Sequence, residues 1–316
     1  MGTKAPIVSV VIATYNSAKT LKTAIQSVLL QEHSDFEVWI VGDGCTDNSP
    51  EVVASFADDR LHWVNLSQNS GSASIPNNEG VRRANGTYIA FLGHDDLWLP
   101  DHLRLLVEAL EGDKADFVYC MTALLSSDGN HVVSGQKQDF SEKAFATCQA
   151  HIPPSSWLFK KEVAADCGGW ISPSESPYIP IDVEYLQRIV EKGKRLTFVD
   201  GVFVVKFPSP WWRLYDRTSN FPQEHYIKLI QTDAKSASIV ILIELAHAFS
   251  TKLNSSQTIW ASLRNVIKSL YHSFIRFYSY RRFPISVFLR YRTRHSRTEN
   301  QMKRGLPITS LYKANR

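Results

Sequence analysis

Cysteine is scarce in this chain of 316 residues. There are four, Cys45, Cys120, Cys148 and Cys167, and no two form a C-x-x-C pair. That spacing excludes a zinc ribbon or a disulfide framework and suits a reduced compartment. Long apolar runs are also missing. The longest in the back half, Ile239–Phe249, is interrupted by Glu244 and falls short of the ~20 residues a membrane-spanning helix needs. The N-terminus has no charged n-region leading into an apolar h-region, so no signal peptide is expected. No G-x-G-x-x-G follows the first apolar run, which disfavours a dinucleotide oxidoreductase. No Ser/His/Asp or Cys/His constellation suggests a covalent nucleophile. Acid is nearly absent from the tail: residues 251–316 carry 14 Lys/Arg and a single acid, Glu299, against 21 Lys/Arg and 30 Asp/Glu in residues 1–250.

The chain does hold enough apolar residues, 44%, for a sizeable core. They come in short blocks. Ile7–Ala13, Phe36–Val41, Leu61–Leu66, Tyr88–Leu92 and Asp116–Cys120 read as strands, most of them buried on both faces. Between them, helical spacing is seen at Leu21, Ala24, Ile25, Val28 and Leu29, after Asp47, over Asn77–Ala84 and over Pro100–Leu110. Alternation of this kind predicts an α/β fold with a mostly parallel sheet and helices on both faces. From Leu124 to Val205 the pattern is mixed, with one further helix expected over Asp182–Lys192, and residues 221–290 read as helical.

Chemistry-bearing residues gather at the ends of the expected strands, where open α/β sheets place ligands. Thr14-Tyr15-Asn16 ends the first. Asp43, in Gly42-Asp43-Gly44, ends the second and is equally readable as a common turn. Asn69-Ser70-Gly71 is a small-residue loop that could cradle an anion. Phe91-Leu92-Gly93-His94-Asp95-Asp96 runs from an apolar strand straight into two carboxylates, the ligand type that hard divalent cations want beside phosphates.

Taken in this order the pieces resemble the family-2 glycosyltransferases of the GT-A fold. The matching stretches are Val10–Asn16, Val41–Asp47, Asn69-x-Gly71, Asn78-x-Gly80, Gly86–Asp96, Ser156–Phe159, Gly168-Gly169-Trp170 and Asp182, within about residues 6–205. The resemblance implies a nucleotide-sugar donor held by Thr14, Tyr15, Asn16, Asp43, Gly71, Asn78 and His94. It implies Mg²⁺ or Mn²⁺ on Asp95, at the second acid of D-x-D, and Asp182 as the base of an inverting transfer. UDP is the favoured nucleotide, with dTDP- and GDP-sugars as alternatives. The acceptor expected is a saccharide or lipid-linked saccharide, as in surface polysaccharide or glycolipid synthesis.

Three departures stand out. Gly93 replaces the first acid of D-x-D. Pro76-Asn77-Asn78-Glu79-Gly80 lacks the family's Arg. Ile181-Asp182 stands where the family has Glu-Asp. They keep open a rival reading, a non-catalytic sugar-nucleotide-binding or scaffold protein. Asp182 is also readable as a helix N-cap after Pro180. His151–Trp157 and Trp211-Trp212-Arg213 could line the acceptor side or pack in the core.

The expected division is a catalytic domain over 1–220 and a basic, mainly helical extension over 221–316. In the extension Leu263, Val266, Ile267, Leu270, Phe274 and Phe277 share one helical face, and Arg264, Lys268, His272 and Arg276 another. Two readings stand: an element lying on an anionic membrane surface, or a helix packed on the catalytic domain with a solvated charged face. No nucleic-acid motif accompanies the charge, and the expected location is cytoplasmic, peripheral at the inner face of the membrane. Each basic residue near an anionic leaflet contributes about 1 kcal/mol. Anionic liposomes should therefore co-sediment the full chain far more than a chain ended at residue 250, and equal partitioning would leave the packed-helix reading.

Overall fold

The computed structural model describes residues 6–112, 114–125, 131–146, 150–176, 179–207 and 222–254. The first half alternates strand and helix: β1 Val8–Thr14, α1 Ala18–Leu29, β2 Phe36–Gly42, α2 Ser49–Ala54, β3 Leu61–Asn65, α3 Ser74–Arg83 and β4 Tyr88–Phe91. Then come β5 Leu97–Trp98, α4 His102–Gly112, β6 Phe117–Leu124, β7 Val132–Ser134 and α5 Glu142–Ala146. A 3₁₀ turn at Pro154–Ser156 leads into β8 Trp157–Lys160, followed by α6 Lys161–Cys167, α7 Ile181–Glu191, β9 Leu196–Lys206, α8 Gln223–Thr232 and α9 Ala234–Asn254.

One sheet holds all the described strands, in the order β3-β2-β1-β4-β8-β6-β9-β5, with β7 on β6. The β3-β2-β1-β4 half is parallel throughout. β8 runs antiparallel to both β4 and β6, and β9 lies parallel to β6. The α/β expectation holds, and the stretch that read as mixed contains the antiparallel part of the sheet.

The side-chain alternation of a strand explains how β1 is buried on both faces. Val8, Val10 and Ile12 pack with Leu21, Ala24, Ile25 and Val28 of α1. Val11 points the other way, into a cluster with Ile89, Phe91 and Trp157. On that side α3 lies so close that a Cβ on Gly80 would stand 2.3 Å from Val11 Cγ1. The glycine is thus required by contact between helix and sheet. A third cluster joins Leu97, Leu99, Val205 and Phe207 to Tyr226, Ile227 and Ile230 of α8 and to Ala237, Ile241 and Leu245 of α9. The compact unit runs Met1–Ala248. It therefore takes in α8 and most of α9, which lie beyond the boundary expected at residue 220. The basic helix expected after residue 255 and Trp211-Trp212-Arg213 lie outside the described residues.

His102 opens α4 with no solvent exposure. It stacks on Trp98 with ring centroids 4.4 Å apart, and its Nδ1 lies 3.7 Å from Cys120 Sγ. Burial pushes its pKa down to about 3. Its folded pKa thus lies below the ~6.5 of an unfolded chain. As pH falls from about 6.5 toward 3 the unfolded state takes up a proton that the folded state refuses, and stability is lost at up to about 1.4 kcal/mol per pH unit. Urea unfolding of the wild type should show this acid slope, and His102→Gln should flatten it. Parallel slopes would mean that His102 does not control it.

Candidate active site

The ends of β1, β2 and β4 build one wall of the site. At the end of β1, Thr14 is buried, and its Oγ1 is a buried polar atom with no partner among the described residues. Tyr15 follows, partly exposed. Asn16 adopts a left-handed φ of 45°, a conformation Asn tolerates better than most residues. Its Oδ1 accepts the N–H groups of Thr46 at 2.7 Å and Asp47 at 3.2 Å. The Asn16 side chain therefore staples the loop after β2. Asp43, buried at that loop, donates its own N–H to Thr14 O at 2.8 Å and accepts the Ser70 N–H on Oδ1 at 2.9 Å. Gly71, at φ 78°, donates its N–H to Asn69 Oδ1 at 2.6 Å. The small-residue loop is in this way drawn onto Asp43. Asn78 is differently occupied: its amide accepts the Trp170 N–H at 2.8 Å and donates to Trp170 O at 2.7 Å. It clamps the Gly169-Trp170 turn to α3.

The loop after β4 carries the two carboxylates. His94 Nδ1 lies 3.1 Å from Ala13 O, which ties this loop to β1. Asp96 has no exposure. Its Oδ2 accepts Ser155 Oγ–H at 2.5 Å and Lys206 Nζ–H at 2.8 Å, and Oδ1 lies 3.1 Å from the same ammonium. A Cβ on Gly93 would fall 2.7 Å from Asp96 Oδ2 and 3.1 Å from Asp95 Oδ1. In this conformation the two carboxylates occupy the space that a side chain at residue 93, where D-x-D has its first acid, would need.

Charge is concentrated here. Burial opposes the Lys206 ammonium, yet Asp96 and Asp95 raise its pKa above the ordinary lysine range, and Asp182 adds to the effect. Burial likewise opposes ionisation of Asp95, but Lys206 and then His94 outweigh it and hold that carboxyl below the usual range. Burial pushes the Asp96 carboxyl up, with Lys206 drawing it back. Lys206, at the end of β9 and with its side chain 33% exposed, bonds Asp96 directly, and the charges of Asp95 and Asp182 also act on it. It belongs to no sequence motif and escaped sequence reasoning; Ser155 lies in the His151–Trp157 stretch considered for the acceptor side, and its bond is to Asp96.

Among the described residues no group of three or more His, Cys, Asp or Glu side chains could cage a metal. With Asp96 occupied, the protein donor is Asp95. One carboxylate plus phosphate oxygens and water is a donor set that suits Mg²⁺ or Mn²⁺, hard ions with oxygen preference. The residues fit a cation that arrives with a diphosphate.

The opposite wall comes from α7 and the loop before β8. Pro180, not Asp182, is the N-cap of α7, and Asp182 lies in its first turn. Asp182 Oδ1 accepts the Val183 N–H at 3.0 Å, while Oδ2 lies 3.0 Å from His151 Nε2. Ser155 and His151 share one loop, so the same segment touches Asp96 and Asp182. Trp157, a candidate for the acceptor side, is instead a core residue with no exposure, stacked on Trp170 at 5.6 Å.

Removing Lys206 would leave Asp96 buried and unpaired, which costs roughly 3–5 kcal/mol for a buried pair. Lys206→Met should lose about 3 kcal/mol in urea unfolding, and Lys206→Met with Asp96→Asn should recover most of it. A single variant as stable as wild type would show that the pair does not hold this end of the sheet.

The family model described as "Glycosyl transferase family 2" matches residues 9–164. TuaG of Bacillus subtilis strain 168, a glycosyltransferase named for teichuronic acid biosynthesis, is 35% identical over 126 residues, covering 39% of this chain and 50% of that protein. The succinoglycan biosynthesis protein ExoO of Rhizobium meliloti strain 1021 is 34% identical over 159 residues, covering 50% and 45%. The chain thus spans about half the length of these relatives. Among solved structures, S. aureus TarS residues 1–349, in complex with UDP-GlcNAc, has a TM-score of 0.54 at 17% identity and covers 85% of this chain and 79% of that one. That likeness shows a shared GT-A fold. Through residues 9–164 the chain belongs to glycosyl transferase family 2.

Proposed function

We propose that this protein transfers a sugar from a nucleoside-diphosphate donor, a UDP-sugar, to an acceptor hydroxyl with inversion at the anomeric carbon. The observation that carries the reading is the loop before β8, where Ser155 bonds Asp96, next to Asp95, and His151 contacts Asp182. Thr14, Asp43 and the Ser70-Gly71 loop lie on the donor side, next to His94 and Asp95. The unpartnered Thr14 Oγ1 supplies a donor and an acceptor for a nucleotide. Asn16 and Asn78 act through the loops they staple. Asp95 would hold Mg²⁺ or Mn²⁺ against the diphosphate, and the ion when bound offsets the negative charge of the leaving group. Asp182 takes the proton of the acceptor hydroxyl as the new C–O bond forms and the bond to the diphosphate breaks. No covalent sugar–enzyme intermediate is required. Relatives named for teichuronic acid and succinoglycan synthesis support a saccharide or lipid-linked saccharide acceptor. The basic tail suits an anionic membrane surface at the cytoplasmic face, and among the described residues no helix is long and apolar enough to cross a membrane.

Incubation with UDP-, dTDP- and GDP-sugars and Mn²⁺ should release UDP, and EDTA should stop the release. Asp182→Asn should lower kcat by about 10²–10⁴-fold. Asp95→Ala should abolish metal-dependent turnover. Tight UDP binding without turnover on any donor would replace this reading with that of a sugar-nucleotide-binding scaffold.

A further inference from the structure

Asp182 has a neighbour that its proposed role does not use. His151 Nε2 lies 3.0 Å from Asp182 Oδ2. The two residues are 31 apart in sequence, on different elements, so helix geometry does not impose the pairing. An exposed His–Asp contact usually contributes little. This one differs in how the imidazole is presented. Ala150 and Ile152, on either side, are buried. The Ala150 N–H donates to Ala144 O at 3.2 Å, and Trp157 Nε1–H donates to Ile152 O at 3.1 Å. Four residues on from His151, Ser155 bonds Asp96, and its carbonyl accepts Trp98 Nε1–H at 2.7 Å. The backbone carrying His151 is therefore fixed at both ends, while the His151 side chain stays 43% exposed and that of Asp182 19%.

We propose that His151 is a positioning residue for Asp182, an inference that rests on the reading of Asp182 as base. The Val183 N–H fixes Oδ1 from the helix side. The imidazole fixes Oδ2 from the loop side. Between them they set the plane of the carboxylate and leave its remaining lone pairs aimed at one place. Lys206 also interacts electrostatically with Asp182. A base held in one orientation keeps the acceptor oxygen in line with the anomeric carbon, and a displacement of about 1 Å in such a geometry can cost on the order of 10²-fold in rate. The proton still goes to Asp182, and the electron pair of the broken bond still leaves on the diphosphate. His151 changes neither.

The test uses the full chain and follows UDP release from UDP-glucose, UDP-galactose and UDP-N-acetylglucosamine with Mn²⁺. His151→Ala should lower kcat about 10- to 100-fold with KM for the donor unchanged. His151→Gln, which can place an N–H at similar reach, should retain most of the wild-type kcat. Because the site of the ring is partly exposed, added imidazole should restore part of the His151→Ala activity. A general loss of folding would not give a kcat effect that imidazole reverses. Wild-type kcat in His151→Ala, beside an inactive Asp182→Asn, would overturn the positioning role alone. So would a loss that neither Gln nor imidazole restores. Full activity in Asp182→Asn, or no turnover of any donor by the wild type, would instead overturn the base reading on which this one rests.

Discussion

The contact between Asp96 and Lys206 holds this site together. A carboxylate with no solvent exposure meets an ammonium at 2.8 Å. Each ion loses several kcal/mol of hydration on burial, and only close geometry and further hydrogen bonds offset that. Here Ser155 supplies the further bond. The result joins the loop after β4, the end of β9 and the loop before β8, which the Gly93 N–H bond to Ser155 Oγ and the pairing of Leu97 with Val205 also tie together. It also bears on Gly93. Once Asp96 turns inward to Lys206, its oxygen fills the space above residue 93. Under the proposed function, Asp95 is left as the carboxylate on the donor side.

The sheet divides the labour. Its parallel half, β3-β2-β1-β4, brings Thr14, Asp43 and the β4 loop to one edge, as parallel strands with a common direction must. Its other half, where β8 reverses direction, brings in His151, Ser155 and Lys206. Neither half holds both Asp95 and Asp182. The site therefore depends on the seam between β4 and β8, whose register pairs Tyr88 with Lys160 and Ala90 with Leu158. The indoles of Trp98 and Trp157 each donate to a carbonyl of the loop at that seam. Those buried donors find partners, as buried indoles usually do, and in doing so they fix the loop.

How much of this could be read beforehand follows from the range of each interaction. β1 and β2 are buried on both faces and read as continuous apolar blocks, so their positions were legible to within a residue. β8 has only four residues, and the first eight residues of β9 include none that is buried, so neither offers a long apolar block and neither was read as a strand. The same holds for side chains. Thr14, Asp43, Asp95 and Asp182 stand in local patterns that a reader can find. Lys206 lies 110 residues from Asp96 and Ser155 lies 59 from it, and no local pattern announces either. Asn16 and Asn78 show the opposite case. They stand in motifs, yet their amides bond Thr46, Asp47 and Trp170. A motif marks a residue that the site needs and does not tell whether the need is for contact or for shape.

The charges also bear on where a cation would come from. The charges of three carboxylates, Asp95, Asp96 and Asp182, act on one ammonium. With all four groups ionised the cluster is negative by two, and a diphosphate would add more of the same sign. In a partly buried setting, where the effective dielectric is about 20, like charges ~4 Å apart repel by about 4 kcal/mol. Lys206 cannot relieve this alone, because Asp96 already occupies two of its contacts. A donor diphosphate can settle here only with added positive charge, and Asp95 offers a single carboxylate to hold it. Under the proposed chemistry the ion and the donor thus bind as a pair. Asp95 by itself is a weak ligand, and the diphosphate by itself is repelled.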